Sequence, residues 1–424
     1  MIVCYAFGVT RRLRGILCTI LFAVAAASDS AVPADRIQPS SPIVVLISID
    51  GWRWDYLERF RPPVIGRLAL TGVRSEGLIP IFPSKTFPNH YTVVTGLHAA
   101  RHGLTSNNMV DPALPGRFTL SNRDVQQDTR WWGGEPLWVG VERQGRIAAT
   151  MFWPGSDVEI AGDRPTYWRT YEHEFPNVAR VDQLLDWLDQ PDTKRPTFLT
   201  LYFSDVDDAG HRFGPNADQT RQAVLDVDAV IERLISGVER LGLAPRTNYV
   251  VVSDHGMAEL ARERVIVLDD YIDLSTIDLI DSAPIVGMSA RAGVSVDSVY
   301  QALAGKHPAM QVYTRSTLPA EHRLRDHPRL PDVIGIADVR WHPTTREALT
   351  HDESNGRFPG GNHGYEPRHR DMHGLFVAAG PQFKSGVVVP AFENIHVYEL
   401  LCRLLGVQPA SNDGDPAVTA SFLR

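Results

Sequence analysis

Cysteine is scarce: Cys4, Cys18 and Cys402 are the three in 424 residues. Cys4 and Cys18 fall in a segment read below as lost on export, so Cys402 stands alone and no disulfide framework can form. A chain exported without disulfides must be held by the size of its core, which suits a bacterial-type periplasm. Basic charge is also in deficit, with 42 Lys and Arg against 50 Asp and Glu and a formal charge of −8. That excludes a long basic groove for nucleic-acid polymer, so a phosphate substrate must be drawn by something local, such as bound cations. The longest apolar run is shorter than the roughly 20 residues a membrane helix needs, and no stable membrane anchor is expected. Internal repeats and low-complexity tracts are lacking too, which sets aside solenoids and disordered tails.

What is present is an ordinary globular composition. Hydrophobic residues make up 43% of the chain, with 9 Trp, 12 Tyr and 16 Phe, enough to bury a large core. Near the start, Arg11, Arg12 and Arg14 precede the apolar run Ile16 to Ala27, which closes on small residues. That is the pattern of a secretory signal over residues 1–27, and the arginine pair is compatible with twin-arginine export. Cleavage after Ala27 removes three arginines and no acid, moving the charge from −8 to −11. The expected location is periplasmic or secreted. A Pro/Ser linker at 28–42, a catalytic domain at 43–408 and a tail at 409–424 complete the expected layout.

Five apolar runs share a design: "PIVVLISID", "RIAATMFWPG", "PTFLTLYFSDVD", "TNYVVVSDHG" and "HGLFVAAGP". Each reads as a strand buried on both faces, most of them ending in polar or Gly/Pro residues. Between them lie helical patterns such as "VARVDQLLDWLD", "TRQAVLDVDAVIERLISGVERLG" and "NIHVYELLCRLLGV". The alternation predicts an α/β fold, a mostly parallel central sheet with helices on both faces. Residues 265–341 break the rhythm with short alternating pieces, and are expected to form a smaller inserted α+β lobe.

In such a sheet ligands gather beyond the carboxyl ends of the strands. Acids and imidazoles fall there four times: Asp50 in "SIDGW", Asp207 and His211 in "SDVDDAGHRF", Asp254 and His255 in "SDHGM", and His363 in "GNHGYEP". Taken singly, each could be a turn or cap residue. Together they could hold two metal ions, and mixed imidazole and carboxylate donors suit zinc or a similar first-row ion. Thr86, in "IFPSKTFPNHYTVVTG", sits where a helix begins, near unpaired N–H groups. A capping threonine would sit there as well. Beside two cations, however, its hydroxyl becomes a usable nucleophile.

The motifs "PSKTFPNHYTVVTG", "SIDGWRWDY", "NNMVDP", "RWWGGEPLWV", "FWPGS", "SDHGM" and "GNHGYEP" resemble the nucleotide pyrophosphatase/phosphodiesterase family of the alkaline phosphatase superfamily, from about Ile43 to Gly406. The resemblance implies a two-Zn2+ phosphodiesterase in which Thr86 attacks phosphorus to form a phosphothreonine intermediate. It implies one zinc among Asp50, Thr86, Asp254 and His255, and another among Asp207, His211 and His363. Asn107, with Asn108 as the other register, resembles the donor to the phosphate oxygens. Phe87 and Tyr202 match an aromatic pair that sandwiches a nucleobase. The substrate expected is a small nucleotide cleaved to a nucleoside monophosphate; a lipid-headgroup diester or a phosphomonoester is the alternative. Two departures stand out. "SDVDD" replaces the family's Glu-Pro-Asp, so Asp205 and Asp208 compete with Asp207, and the four-residue gap to His211 decides for Asp207. Val110 stands where many members carry tyrosine.

Overall fold

The structure, a computed structural model, describes residues 41–424. The expected signal at 1–27 and nearly all of the expected linker lie outside the described residues. An eight-stranded sheet runs through the molecule in the order 387–389, 73–75, 376–379, 247–252, 43–49, 198–203, 148–151, 167–168. Ile43–Ile49 lies at its centre, pairing in parallel with Phe198–Phe203 on one side and Thr247–Val252 on the other. Phe376–Ala379 runs antiparallel to both of its neighbours, so the sheet is mixed but mostly parallel.

The continuous apolar character of these strands follows from burial on both faces. Val44 and Leu46 point into one core with the helices Thr86–Thr95, Leu137–Arg143 and Val397–Leu405. Ile43, Val45, Ile47 and Ile49 point into the other, packed by Pro63–Thr71, Asn177–Leu188 and Asp218–Arg240. A period of two thus feeds two apolar layers, where a half-exposed strand would alternate with polar residues.

Between residues 277 and 337 the chain forms a separate four-stranded antiparallel sheet, ordered 277–281, 285–290, 333–337, 310–314. The helix Val296–Leu303 adds Val299 and Leu303 to its core. Residues 409–424 include the helix Pro416–Ala420, and Phe422 packs against Phe376 and Phe392 in the main core. Cys402 is a free, buried thiol. Among the described residues no helix is long and apolar enough to cross a membrane.

Candidate active site

The three central parallel strands end on one edge, and that edge carries most of the acids singled out above. Asp50 follows the Ile43–Ile49 strand directly. Asp254 and His255 follow Thr247–Val252 after one serine. After Phe198–Phe203 the chain turns into the helix Asp205–Phe213, whose four-residue spacing puts Asp207 and His211 on one face. His363 comes from elsewhere, at the end of the short strand Gly360–Asn362. Gly51, at φ +68°, lets these elements meet: a Cβ there would lie 2.8 Å from both the Cα and Oδ1 of Asp207.

Two clusters result: Asp50, Asp254 and His255, and Asp207, His211 and His363. In the first, His255 Nε2 lies 3.3 Å from Asp50 Oδ1 and 3.0 Å from Asp254 Oδ2. In the second, Asp207 stands 3.4 Å from His211 Nε2 and 3.7 Å from His363 Nε2. The His255 and His363 rings stack at 3.5 Å, which joins the clusters into one site. Asp205 and Asp208 turn elsewhere, Asp205 accepting from Asn177 and Asp208 facing His173, so only Asp207 of that acidic run reaches the cluster.

Each imidazole is oriented from behind. His255 Nδ1 donates to the carbonyl of Gly256, His211 Nδ1 to that of Gly361 and His363 Nδ1 to that of Ser84, at 2.9, 3.0 and 3.0 Å. In the neutral form these bonds place the proton on Nδ1, and every Nε2 then turns a lone pair into the site. The facing carboxylate atoms Asp50 Oδ1, Asp207 Oδ1 and Asp254 Oδ2 are buried with no hydrogen-bond donor. Acceptor therefore faces acceptor, an arrangement that is costly in a buried site unless a cation lies between them. The residues fit two metal ions on this observation.

Thr86 is the first residue of the Thr86–Thr95 helix, and Lys85 takes the capping position with no side-chain cap. The threonine hydroxyl is thus free of the capping role, and its Oγ1 lies 3.4 Å from His255 Nε2. Asn107 Oδ1 accepts from the Phe87 N–H at 2.9 Å, which leaves its Nδ2 amide as a donor beside the nucleophile's helix terminus. Asn108 points away, to Asp281.

A cavity of about 340 Å3 opens from Thr86, Asp50 and Asp207, walled by Phe87, Phe152, Trp153, Tyr171 and Tyr202. Phe87 packs edge-on against Phe118 and tilted on Trp132, which holds its ring in place. Tyr202 also lines the cavity, but its hydroxyl donates to Asp50 Oδ2 at 2.7 Å and its ring meets His90 and Tyr171 edge-on.

Over residues 44–366 the sequence matches the family described as type I phosphodiesterase / nucleotide pyrophosphatase. The chain belongs to that family. Human ectonucleotide pyrophosphatase/phosphodiesterase family member 5 is 34% identical over 379 residues, covering 89% of this chain and 77% of the relative. The venom phosphodiesterase of Naja atra is 35% identical across 92% of this chain, which spans about half (47%) of that enzyme's length. Among solved structures, murine ectonucleotide pyrophosphatase/phosphodiesterase 5, as an inactive threonine-to-alanine variant in complex with AMP, superposes with a TM-score of 0.85 at 32% identity. That match covers 91% of this chain and 100% of the other. The alkaline phosphatase-like fold and the hydrolase class stand on these likenesses.

The charge state of this phosphodiesterase's site follows from its crowding. Burial, with Asp254 and Asp207 nearby, pushes the Asp50 carboxyl well above its usual range. Burial opposes ionisation of Asp254 too, but the His255 and His90 imidazoles, when they carry a proton, hold it well below the ordinary value, and Asp254 in turn raises the His255 pKa. Burial and the adjoining His255 and His211 rings keep His363 well below the usual imidazole range, in the neutral form a metal requires. Reading the sequence missed His90, whose Nδ1 donates to the Thr86 carbonyl while its Nε2 accepts from Ser48. It also missed Tyr171, on the cavity wall with its hydroxyl 2.9 Å from His173. A helix-interior histidine and a loop tyrosine carry no periodicity or spacing that marks them.

Proposed function

We propose that this phosphodiesterase-family hydrolase is an exported two-zinc enzyme that cleaves small nucleotides and releases a nucleoside monophosphate by way of a phosphothreonine intermediate. The observation that carries the reading is the position of Thr86, beside two acid and imidazole clusters and at the end of an aromatic-walled cavity. A Thr-to-Ala variant of the murine relative is described as inactive and was solved with AMP, which supports both the nucleophile and the ligand class.

Asp50, Asp254 and His255, with the Thr86 hydroxyl, would hold one ion; Asp207, His211 and His363 would hold the other. Bound there, the ions would supply Lewis acidity to an in-line displacement at phosphorus. Thr86 Oγ1 bonds to phosphorus as its proton passes to solvent water, and the bond to the leaving alcohol or pyrophosphate breaks, the leaving oxygen keeping the electron pair. Water then hydrolyses the threonyl phosphate, freeing the monophosphate and restoring the hydroxyl. Asn107 Nδ2 donates to a non-bridging oxygen, and Tyr202 and the three backbone carbonyls behind the histidines hold the ligands in place. Phe87 and Tyr202 bound the nucleobase pocket together with Tyr171, the more open of the two tyrosine rings. A diester leaves one non-bridging charge, which suits a cavity in which Arg123, the one arginine among its described lining residues, is paired with Asp157.

The test compares kcat/KM, with zinc supplied, for an aryl ester of a nucleoside monophosphate, the base-free aryl diester and the aryl monoester, in wild type and Thr86→Ala. The nucleotide diester should be preferred and lost in the variant, with metal still bound. Preference for the monoester, or indifference to the base, would move the substrate class elsewhere. Full turnover by metal-free protein sinks the metal reading.

A further inference from the structure

The residue before the nucleophile is a buried lysine whose charge is answered from the small lobe. Lys85 Nζ lies 2.6 Å from Asp281 Oδ2, and the two side chains are only 6% and 7% exposed. Asp281 closes the lobe strand Ile277–Asp281. Its carboxylate does more than neutralise Lys85. Oδ2 also accepts from the Ser106 hydroxyl, and Oδ1 accepts from Asn108 Nδ2 at 3.2 Å and from the Ser282 N–H at 3.0 Å. Ser106 and Asn108 flank Asn107, whose Oδ1 binds the Phe87 N–H next to Thr86. One carboxylate thus grips both neighbours of the phosphate-facing amide and the neighbour of the nucleophile.

The Lys85 stem is enclosed as well. Gly364, at φ +106°, approaches it so closely that a Cβ there would lie 3.1 Å from Lys85 Cε and 3.0 Å from Pro284, again a lobe residue. Just upstream, Ser84 donates to the Tyr365 carbonyl and its own carbonyl accepts from His363. The segment Ser84–Thr86 is therefore tied on one side to a ligand of the second cluster and on the other to the lobe. Asp281 touches no group that reacts, and it is fully occupied in joining the lobe to the two segments that carry Thr86 and Asn107.

We propose that Asp281 is a positioning residue: through Lys85, Ser106 and Asn108 it sets the distance between the Thr86 hydroxyl and the Asn107 amide, and the inserted lobe serves catalysis through this one buried carboxylate. The proposal rests on Thr86 and Asn107 having the roles given above. A misplacement of about 1 Å in such a pair costs on the order of 10^2-fold in rate, so the loss should fall on kcat.

The experiment measures kcat, KM, bound metal and melting temperature for Asp281→Asn on the full chain, with Asp332→Asn as a lobe control. Asp332 binds Arg315 and the Ala290 N–H and has no contact with the nucleophile segment. Asp281→Asn should lower kcat by about 10^2-fold with KM within about twofold, equally on the nucleotide and the base-free aryl diester, and with metal content unchanged. Asp332→Asn should leave kcat near wild type. Wild-type kcat in Asp281→Asn, or a loss that tracks metal content or folded fraction, overturns the proposal. If Asp281→Asn does not fold, Ser106→Ala and Asn108→Ala decide: each should lower kcat several-fold at constant KM, and unchanged kcat in both overturns it. Thr86→Ala in the same series separates the two readings. If Thr86→Ala retains turnover the nucleophile assignment fails, whereas a dead Thr86→Ala beside a fully active Asp281→Asn removes the positioning role alone.

Discussion

The two clusters are built to the same chemistry from different material. Asp50, Asp254 and His255 are at most 2% exposed and follow the two central strands, so the first cluster is an extension of the core. The side chains of Asp207 and His211 are 15% and 26% exposed and stand on a nine-residue helix at the rim, facing a histidine from a short ribbon. The first is further held by Tyr202 on Asp50 and by His90, whose Nδ1 lies 3.3 Å from Asp254 Oδ2. The difference teaches a division in enclosure: the first cluster is sealed into the core, whereas Asp207 and His211 of the second reach solvent, and each cluster meets the cavity through one carboxylate, Asp50 or Asp207.

The largest effect that can test this division is at the nucleophile. Thr86→Ala should lower kcat by at least about 10^3-fold while both metal equivalents stay bound, read by metal analysis and steady-state kinetics. Loss of one equivalent would show that Asp50, Asp254 and His255 do not retain the ion without the hydroxyl.

Next come the ligands. Asp50→Ala and His211→Ala should each cost about 10^2-fold or more in kcat/KM, but they should part in a zinc titration. Excess zinc should restore much of the activity of His211→Ala, whose cluster is open, and little of that of Asp50→Ala, which loses a buried anchor. Equal rescue of both breaks the comparison. Metal removal sharpens it further. Stepwise chelation should release one equivalent early with little change in melting temperature, then a second with a clear fall, because only the second leaves buried carboxylates facing one another inside the core.

A smaller and more selective effect is expected on the cavity wall. Phe87→Ala should raise KM for nucleotides about tenfold, in line with the loss of one stacked ring, and leave the base-free aryl diester nearly unchanged. Equal losses on both substrates would remove the stacking role.

How far the sequence foretold this molecule differs between its parts. The central strands were legible because burial on both faces writes them as unbroken Val/Ile/Leu runs, and their ends pointed to Asp50, Asp254 and Asp207. The i, i+4 spacing of Asp207 and His211 stated their shared helix face. His363 was legible only through its motif, since nothing local says that a glycine-flanked loop returns across the sheet edge. Thr86 was read as the nucleophile from the ligand candidates around it, and the helix that starts on it, with Lys85 in the cap, leaves its hydroxyl out of the capping role. Asp281 was invisible, because its partners lie some 175 and 196 positions away in the chain and a strand-terminal aspartate has no signature of its own. Tyr202 was expected to stack on a base, and its hydroxyl bond to Asp50 is a use no one-dimensional pattern contains.

The mildest prediction concerns a buried histidine that belongs to neither cluster. His102 is fully buried like His255, but both of its nitrogens are used within the protein: Nδ1 accepts from the Leu104 N–H at 3.1 Å, and Nε2 donates to Thr92 Oγ1 at 3.0 Å. No lone pair is left over, so it is a structural imidazole where the cluster histidines are ligands. Burial pushes its pKa down to about 3, from an ordinary 6.5. Because the unfolded chain takes up a proton that the folded one refuses, stability is lost as pH falls from 6.5 toward 3, and none is lost above 6.5. Between pH 6.5 and 5 the His102 contribution is about 2 kcal/mol. His102→Gln should remove that part of the slope in urea unfolding, keep both metals, and leave kcat/KM at pH 7 within about twofold of wild type. An unchanged slope would mean that His102 takes up a proton as readily in the folded protein as in the unfolded chain. Loss of metal would mean that the boundary between structural and ligand histidines lies elsewhere.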